Sequence, residues 1–283
     1  MLDTRPHSPR FPAAGMQRAR GDARVGLICD TSGAPPRMRL TYLRQVGSAK
    51  AMLPHVGGLP EVVFLNTAGG LTGGDEMSFQ LDLGVGGRAV ATTQTAERAY
   101  RASEGAEPAR LRVHHTVGAG AWLDWLPQET ILYEGSALHR ETRIDLAEGA
   151  GCMLLEAVVL GRAAMGETLE NLQFSDRREV RRQGRPVLIE PMAIDTFRLA
   201  RKTPAMIPAR AFATLAVIGA GAEDAAGAAR AALSVEGVTA AVSGFDGKCI
   251  IRMMAADGWP LRRQILALFS ALRRDPVPRV WQI

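Results

Sequence analysis

The chain has 283 residues, 47% hydrophobic and 22% charged, with a formal net charge of +5. That balance excludes a disordered or fibrous polypeptide, and no apolar run approaches the ~20 residues needed to span a bilayer. It allows one large β-rich domain or two ordinary ones, and its 3 widely separated cysteines do not have the paired spacing of a zinc or redox site.

Met1 to Arg24 is rich in Pro and Arg and lacks an apolar signal segment, so residues 1–24 are expected to be a loose tail, with the cytosol as compartment. Residues 25–283 are expected to form a single unit. Arg24 to Ile28 and Met38 to Leu43 read as strands around a Pro- and Gly-bearing turn, and Met52 to Pro60 reads as a loop. Val62 to Leu65 then leads into Asn66-Thr-Ala-Gly-Gly-Leu-Thr-Gly-Gly-Asp75. Beyond it Met77, Phe79, Leu81 and Leu83 alternate with Ser78, Gln80 and Asp82, the period of a half-buried strand. The glycine turn is not a phosphate loop. Gly69 and Gly74 have the right spacing, but Asp75-Glu76 follow where a Lys-Ser or Lys-Thr is needed, and a strand follows in place of a helix.

Strand patterns recur over Arg88 to Thr95, Arg110 to Val117, Ala121 to Leu126, Thr142 to Leu146 and the apolar run Cys152 to Leu160, and Asp176 to Arg185 reads as a charged hairpin. The body, residues 25–210, is therefore expected to be mainly β, a β-helical coil or a two-layer sheet. Residues 211–283 add a smaller α+β layer. A strand at Ala211 to Ile218 precedes an Ala-rich helix at Glu223 to Leu233. A hairpin spans Val238 to Met254, and Leu261, Ile265, Leu268, Phe269 and Leu272 mark one helix face. Val277 to Ile283 is expected to be a last strand.

The chemistry offers few sites. His114 and His115 are neighbours on a strand, so they point to opposite faces and cannot chelate together; His115 joins the apolar face. His139 and Glu141 share a face without a third ligand nearby. Asp124, Glu129, Glu134 and Glu141 cluster in sequence as a glycosidase pair might, which keeps a β-helical carbohydrate-active enzyme as the alternative reading. The arginine strip 177–185 is interrupted by Glu179 and has no aromatic for base stacking, so no nucleic acid is expected as a partner, and no membrane. Trp122 and Trp125 should lie on opposite sides of their strand, one in the core and one at an interface.

Several stretches together resemble the urease accessory protein UreD (UreH) family. They are Asn66 to Asp75, with Gly69, Gly70, Gly73 and Gly74; Thr92 to Arg101, with Thr93, Gln94, Tyr100 and Arg101; Trp125 to Ile131, with Trp125, Pro127 and Gln128; Leu160 to Glu167, with Gly161, Arg162 and Gly166; and Pro278 to Trp281. The resemblance implies a mainly β, coiled fold and a non-enzymatic chaperone. Such a protein binds the urease apoprotein and UreF, and through UreF the GTPase UreG. It assists nickel insertion with no tightly bound cofactor, only transient Ni²⁺. A path for hydrated Ni²⁺ calls for weak oxygen ligands, and Asp75, Glu76, Glu129, Glu134 and Glu167 are the expected path residues. Each also has a structural reading: Asp75 as a cap of the glycine turn, Glu167 as a partner of Arg162.

Overall fold

The computed structural model describes residues 18–33, 35–54, 58–162, 165–201 and 209–282. The first strands, β1 (Arg20–Asp30) and β2 (Arg37–Gly47), form an antiparallel hairpin, followed by β3 (Ala49–Met52). Strand β1 starts at Arg20, inside the segment expected to be a tail, because Arg20 to Leu27 pair in parallel with Glu76 to Leu83.

From there the chain winds between two sheets. Strands β4 (Glu61–Asn66), β6 (Arg88–Thr93), β9 (Trp122–Trp125) and β12 (Gly151–Leu160) are parallel neighbours in one sheet. The intervening β5 (Glu76–Leu83), β8 (Ala109–Val117), β11 (Ala137–Leu146) and β13 (Gln173–Arg182) are parallel neighbours in the other. Two short strands, β7 (Glu97–Ala99) and β10 (Thr130–Leu132), form a narrow third wall beside β12, extended by a parallel bridge from Leu71 to Ala99. The body is thus a mainly parallel β coil, flattened into two facing sheets.

The coil ends in antiparallel strands. Strand β14 (Arg185–Asp195) turns back on β13, and a short helix α1 (Thr196–Arg201) follows it. Strand β15 (Ala211–Ile218) pairs with β12, then β17 (Lys248–Ala255) and β16 (Val238–Phe245) complete that sheet. Helices α2 (Ala225–Ala231) and α3 (Gly258–Leu272) cover its outer face. The protein is mainly β, with its two longest helices near the C-terminus.

Two cores result. One lies between the sheets, with Val25, Phe64, Phe79, Leu81, Val113, Leu123 and Ile144 fully or almost fully buried. The other lies under α3, where Leu261, Ile265, Leu268 and Phe269 meet Leu155, Leu215 and Ile251. Strand β12 separates them, which is why its sequence is continuously apolar: both of its faces are covered.

The expected strand at Val277 to Ile283 does not form. Pro276 and Pro278 supply no N–H to a ladder, and Arg279–Trp281 is a single 3₁₀ turn. It buries Trp281, whose indole N–H donates to the Leu126 carbonyl at 2.9 Å and whose ring meets Phe269 edge-on. Helix α1 has no counterpart in the sequence reading; its six residues are too few for a recognisable apolar period and none is buried.

Candidate functional site

Because the coil's rungs stack, side chains far apart in sequence become lateral neighbours. Thr142 and Ile144 of β11 face inward, and so do Arg140 and Leu138. Across the interior Glu156 is the one charge in the apolar run of β12, and it faces Arg140: Nη1 to Oε2 is 2.9 Å. Glu156 also accepts from the Trp125 indole at 3.1 Å and the Thr142 hydroxyl at 3.0 Å. Arg140 makes a two-pronged contact with Asp176 of β13, at 3.0 and 2.8 Å, and donates to Thr130 Oγ1 at 2.9 Å.

The line of charges continues outward. Buried Arg178 lies 3.2 Å from Asp176 and 3.5 Å from Glu190, and Glu190 is held at 2.8 Å by the exposed Arg252. Burial pushes the Glu156 carboxyl above its ordinary value, and the neighbouring Arg140 offsets only part of that. Burial opposes the charge on Arg140, yet Asp176 and Glu156 hold it firmly protonated.

Arg140 and Glu156 form the floor of a cavity of about 70 Å³. Its walls include Phe64, Asn66, Thr93, Trp125, Pro127, Gln128 and Thr130, and its rim is formed by Gly69, Gln94, Thr95 and Arg98. The rim residues are exposed, whereas Trp125, Thr130, Arg140 and Glu156 are buried, so the cavity leads from the surface into the core. On its wall Glu97 makes no direct ion pair among the described residues, although the charge of neighbouring Arg98 acts on it. Its carboxylate meets the Asn66 amide at 3.4 Å and the Arg98 backbone N–H at 3.1 Å, and burial raises its pKa to about 7. Gln128 is oriented from the second core. It donates to the Val280 carbonyl at 3.0 Å and accepts from Arg262 at 2.6 Å.

Of the five carboxylates expected to lie on a nickel path, Asp75, Glu129, Glu134 and Glu167 are engaged within the fold and Glu76 is exposed. Asp75 accepts from the backbone N–H groups of Ala19 and Thr72, at 2.7 and 2.8 Å, and so caps the glycine turn. Glu76 is exposed at the start of β5. Glu129 lies 3.7 Å from Arg262. Glu134 accepts from the N–H groups of Glu170 and Asn171; burial opposes its charge, but these donors outweigh it and hold its pKa low. Glu167 makes a two-pronged pair with Arg162 at 3.1 and 3.0 Å, and that pairing lowers its pKa. The fold brings Glu134 and Glu167 together, the Glu134 N–H donating to Glu167 at 3.3 Å, and leaves the other three apart from them.

The quoted motifs fall into two neighbouring groups. Thr93, Gln94, Trp125, Pro127 and Gln128 line the cavity. Gly70, Tyr100, Arg101, Gly161 and Arg162 meet at a corner of the surface beside the cavity rim, where the Tyr100 hydroxyl donates to Gly69. Ala163 and Ala164 lie outside the described residues, and Gly166 forms a turn at positive φ. Gly73 packs against Ala102 and Glu107, and Gly74 against Arg18. Sequence reasoning missed Glu97, Arg140, Glu156, Asp176 and Tyr133. The lone Glu156 within an apolar strand is the signal that points to an interior charge.

The remaining candidates resolve individually. His114 pairs outward with Asp145 at 2.7 Å, whereas buried His115 accepts from the Leu81 N–H through Nδ1 at 3.0 Å. His139 contacts Ser175 on the outer sheet face. Trp122 packs against Gly151 and Gly219 with its indole N–H on Asp124, so it belongs to the fold's own packing and not to an open face. Asp124 in turn binds Arg273 at 2.8 Å. Among the described residues no three His, Cys, Asp or Glu side chains are grouped to hold a metal ion, and no helix is long and apolar enough to cross a membrane.

Residues 19–282 match the family model described as UreD urease accessory protein. A relative from Paracoccus denitrificans named urease accessory protein UreD is 52% identical over 289 residues, 100% of each chain. Two of the same name from strains of Cereibacter sphaeroides are 58% and 60% identical over 274 residues, 96% of this chain and 98% of theirs.

Proposed function

The chain belongs to the UreD urease accessory protein family, and on that premise we propose that it works in urease maturation as an assembly protein. In this reading it binds the urease apoprotein and UreF, and through UreF the GTPase UreG, while Ni²⁺ is inserted. It turns over no substrate of its own; Ni²⁺ is cargo. The compartment proposed is the cytosol, in keeping with Cys29, Cys152 and Cys249 all being free thiols.

The observation that carries the reading is the cavity with Glu97 on its wall and Glu156 on its floor. A cation in transit needs sites that attract it and then release it. Glu97 suits this: its carboxylate is in no direct ion pair, only within the field of Arg98, and a passing Ni²⁺ would favour its ionised form. Thr93 and Gln94 add neutral oxygens, which a hydrated divalent ion accepts without being trapped. Asp75, Glu134 and Glu167 enter this proposal as holders of the surrounding turns.

The test is co-expression with a urease operon lacking its own UreD-type gene. The wild-type chain, carrying a purification tag, is expected to recover the urease apoprotein and UreF and to restore activity. Glu97→Gln is expected to recover both partners while the nickel content of urease falls several-fold. Recovery of neither partner by the wild type would remove the assembly reading. Normal nickel loading with Glu97→Gln would remove the cavity from it.

A further inference from the structure

We propose that the corner built around Tyr100 and Tyr133 is a docking surface for an acidic segment of a partner protein. The inference rests on the assembly role proposed above and adds to it a surface and the chemistry of what sits there.

The corner follows from register. Ala99, Leu132 and Leu160 are lateral neighbours in the narrow third wall of the coil, so the residues that come next, Tyr100, Tyr133 and Gly161, stand side by side where the chain leaves it. The two tyrosine rings meet edge-on with centroids 5.2 Å apart, and the Arg162 guanidinium lies 4.6 Å over Tyr133. Glycines on either side make the room. A Cβ at Gly70 would sit 2.2 Å from the Tyr100 ring, and one at Gly135 would sit 3.0 Å from the Arg101 side chain. The aromatic and arginine groups are therefore set in place before any partner arrives, which removes part of the ordering cost of binding.

The charge here is unbalanced. Glu134 and Glu167 are occupied by backbone N–H groups and by Arg162. Arg101 is 67% exposed and reaches Glu134 only at 4.0 Å, beyond hydrogen-bonding distance. Arg98 is exposed and makes no ion pair among the described residues. The acids are held at short distance within the fold, whereas Arg101 reaches its acid only at 4.0 Å and Arg98 acts on Glu97 without a direct ion pair, and both flank exposed tyrosine. Tyrosine and arginine dominate the energetic centres of protein interfaces. The complementary surface is a segment with Asp or Glu beside an apolar side chain.

The test uses the full chain, tagged and co-expressed with urease and UreF, and measures recovery of each partner over a range of salt. Arg98→Gln/Arg101→Gln leaves the tyrosine packing untouched, and Tyr100→Ala removes the ring. The expected result is a loss of about tenfold or more in recovery of one partner for both variants, with the other retained. Salt should weaken capture of that same partner by the wild type and have little further effect on the double-Gln variant. Both partners recovered at the wild-type level by the double variant, with unchanged circular dichroism and melting temperature, would overturn the proposal. Salt-sensitive retention of nucleic acid at this corner in place of a protein would overturn it as well. A wild-type chain that recovers neither partner would instead overturn the assembly role itself, and this inference with it.

Discussion

Three buried titratable side chains show what single residues contribute. His115 meets Trp125 edge-on at 4.6 Å and accepts a hydrogen bond at Nδ1, so its proton is on Nε2. Burial, with His114 beside it, lowers its pKa to about 3. Between pH ~3 and ~6.5 the unfolded chain therefore binds the extra proton, and stability rises with pH. Glu97 acts in the opposite sense. Its folded pKa of about 7 exceeds the ordinary carboxyl value, so the folded state holds the extra proton and stability falls as pH rises through 7. Replacing Glu97 with Gln removes only the second effect. The variant is expected to gain on the order of 2 kcal/mol relative to wild type between pH ~5 and ~8, measured as the shift in urea midpoint at each pH. Arg140 is the third. Arg140→Met would leave Asp176 and Glu156 facing each other without their shared cation, and a loss of about 3–5 kcal/mol in urea unfolding is expected. A loss under about 1 kcal/mol would mean that the carboxyls are already protonated together.

Among the elements, β12 and the C-terminal turn decide how the two cores are joined. The odd residues of β12, Met153, Leu155 and Ala157, face the helices, while Cys152, Leu154 and Val158 face the other sheet. The 3₁₀ turn at Arg279–Trp281 closes the helical side. Trp281 stacks under Arg262 at 4.6 Å, and the same Arg262 orients Gln128 on the cavity wall. Trp281→Ala is expected to destabilise by about 3–5 kcal/mol, since it opens a cavity beside Phe269 and leaves the Leu126 carbonyl with one of its two donors, the Thr92 hydroxyl. The check is chemical denaturation, with the m-value unchanged if the rest of the fold persists.

At the scale of the whole molecule, the coil places a cavity and a surface corner side by side, each drawn from motifs spread over much of the chain. The two are expected to separate by assay. Glu97→Gln should lower nickel content without altering partner recovery, whereas Arg98→Gln/Arg101→Gln should lower recovery of one partner and nickel content with it. One defect following both changes equally would mean that cavity and corner form a single surface. What was legible in advance is local in origin. Alternation in β5, β8 and β11 reports one covered face, the apolar run of β12 reports two, and the spacing from Leu261 to Leu272 reports a helix face. The motif resemblance reported the family. The lateral order of the strands was not legible, because rungs joined by loops of different length leave no fixed period to read. For the same reason the sequence shows Asp75, Glu134 and Glu167 as prominent carboxylates but not the backbone N–H groups and the arginine that hold them. By itself, then, the sequence determined where most of the longer strands and the two C-terminal helices run, which of their faces are covered and which family the chain resembles, since each depends on neighbouring residues and side-chain chemistry. Only the tertiary structure decided that Glu156 faces Arg140 and that Tyr100 stands beside Tyr133, because those pairings depend on the register between rungs, and a period-two pattern is the same whichever rung lies alongside.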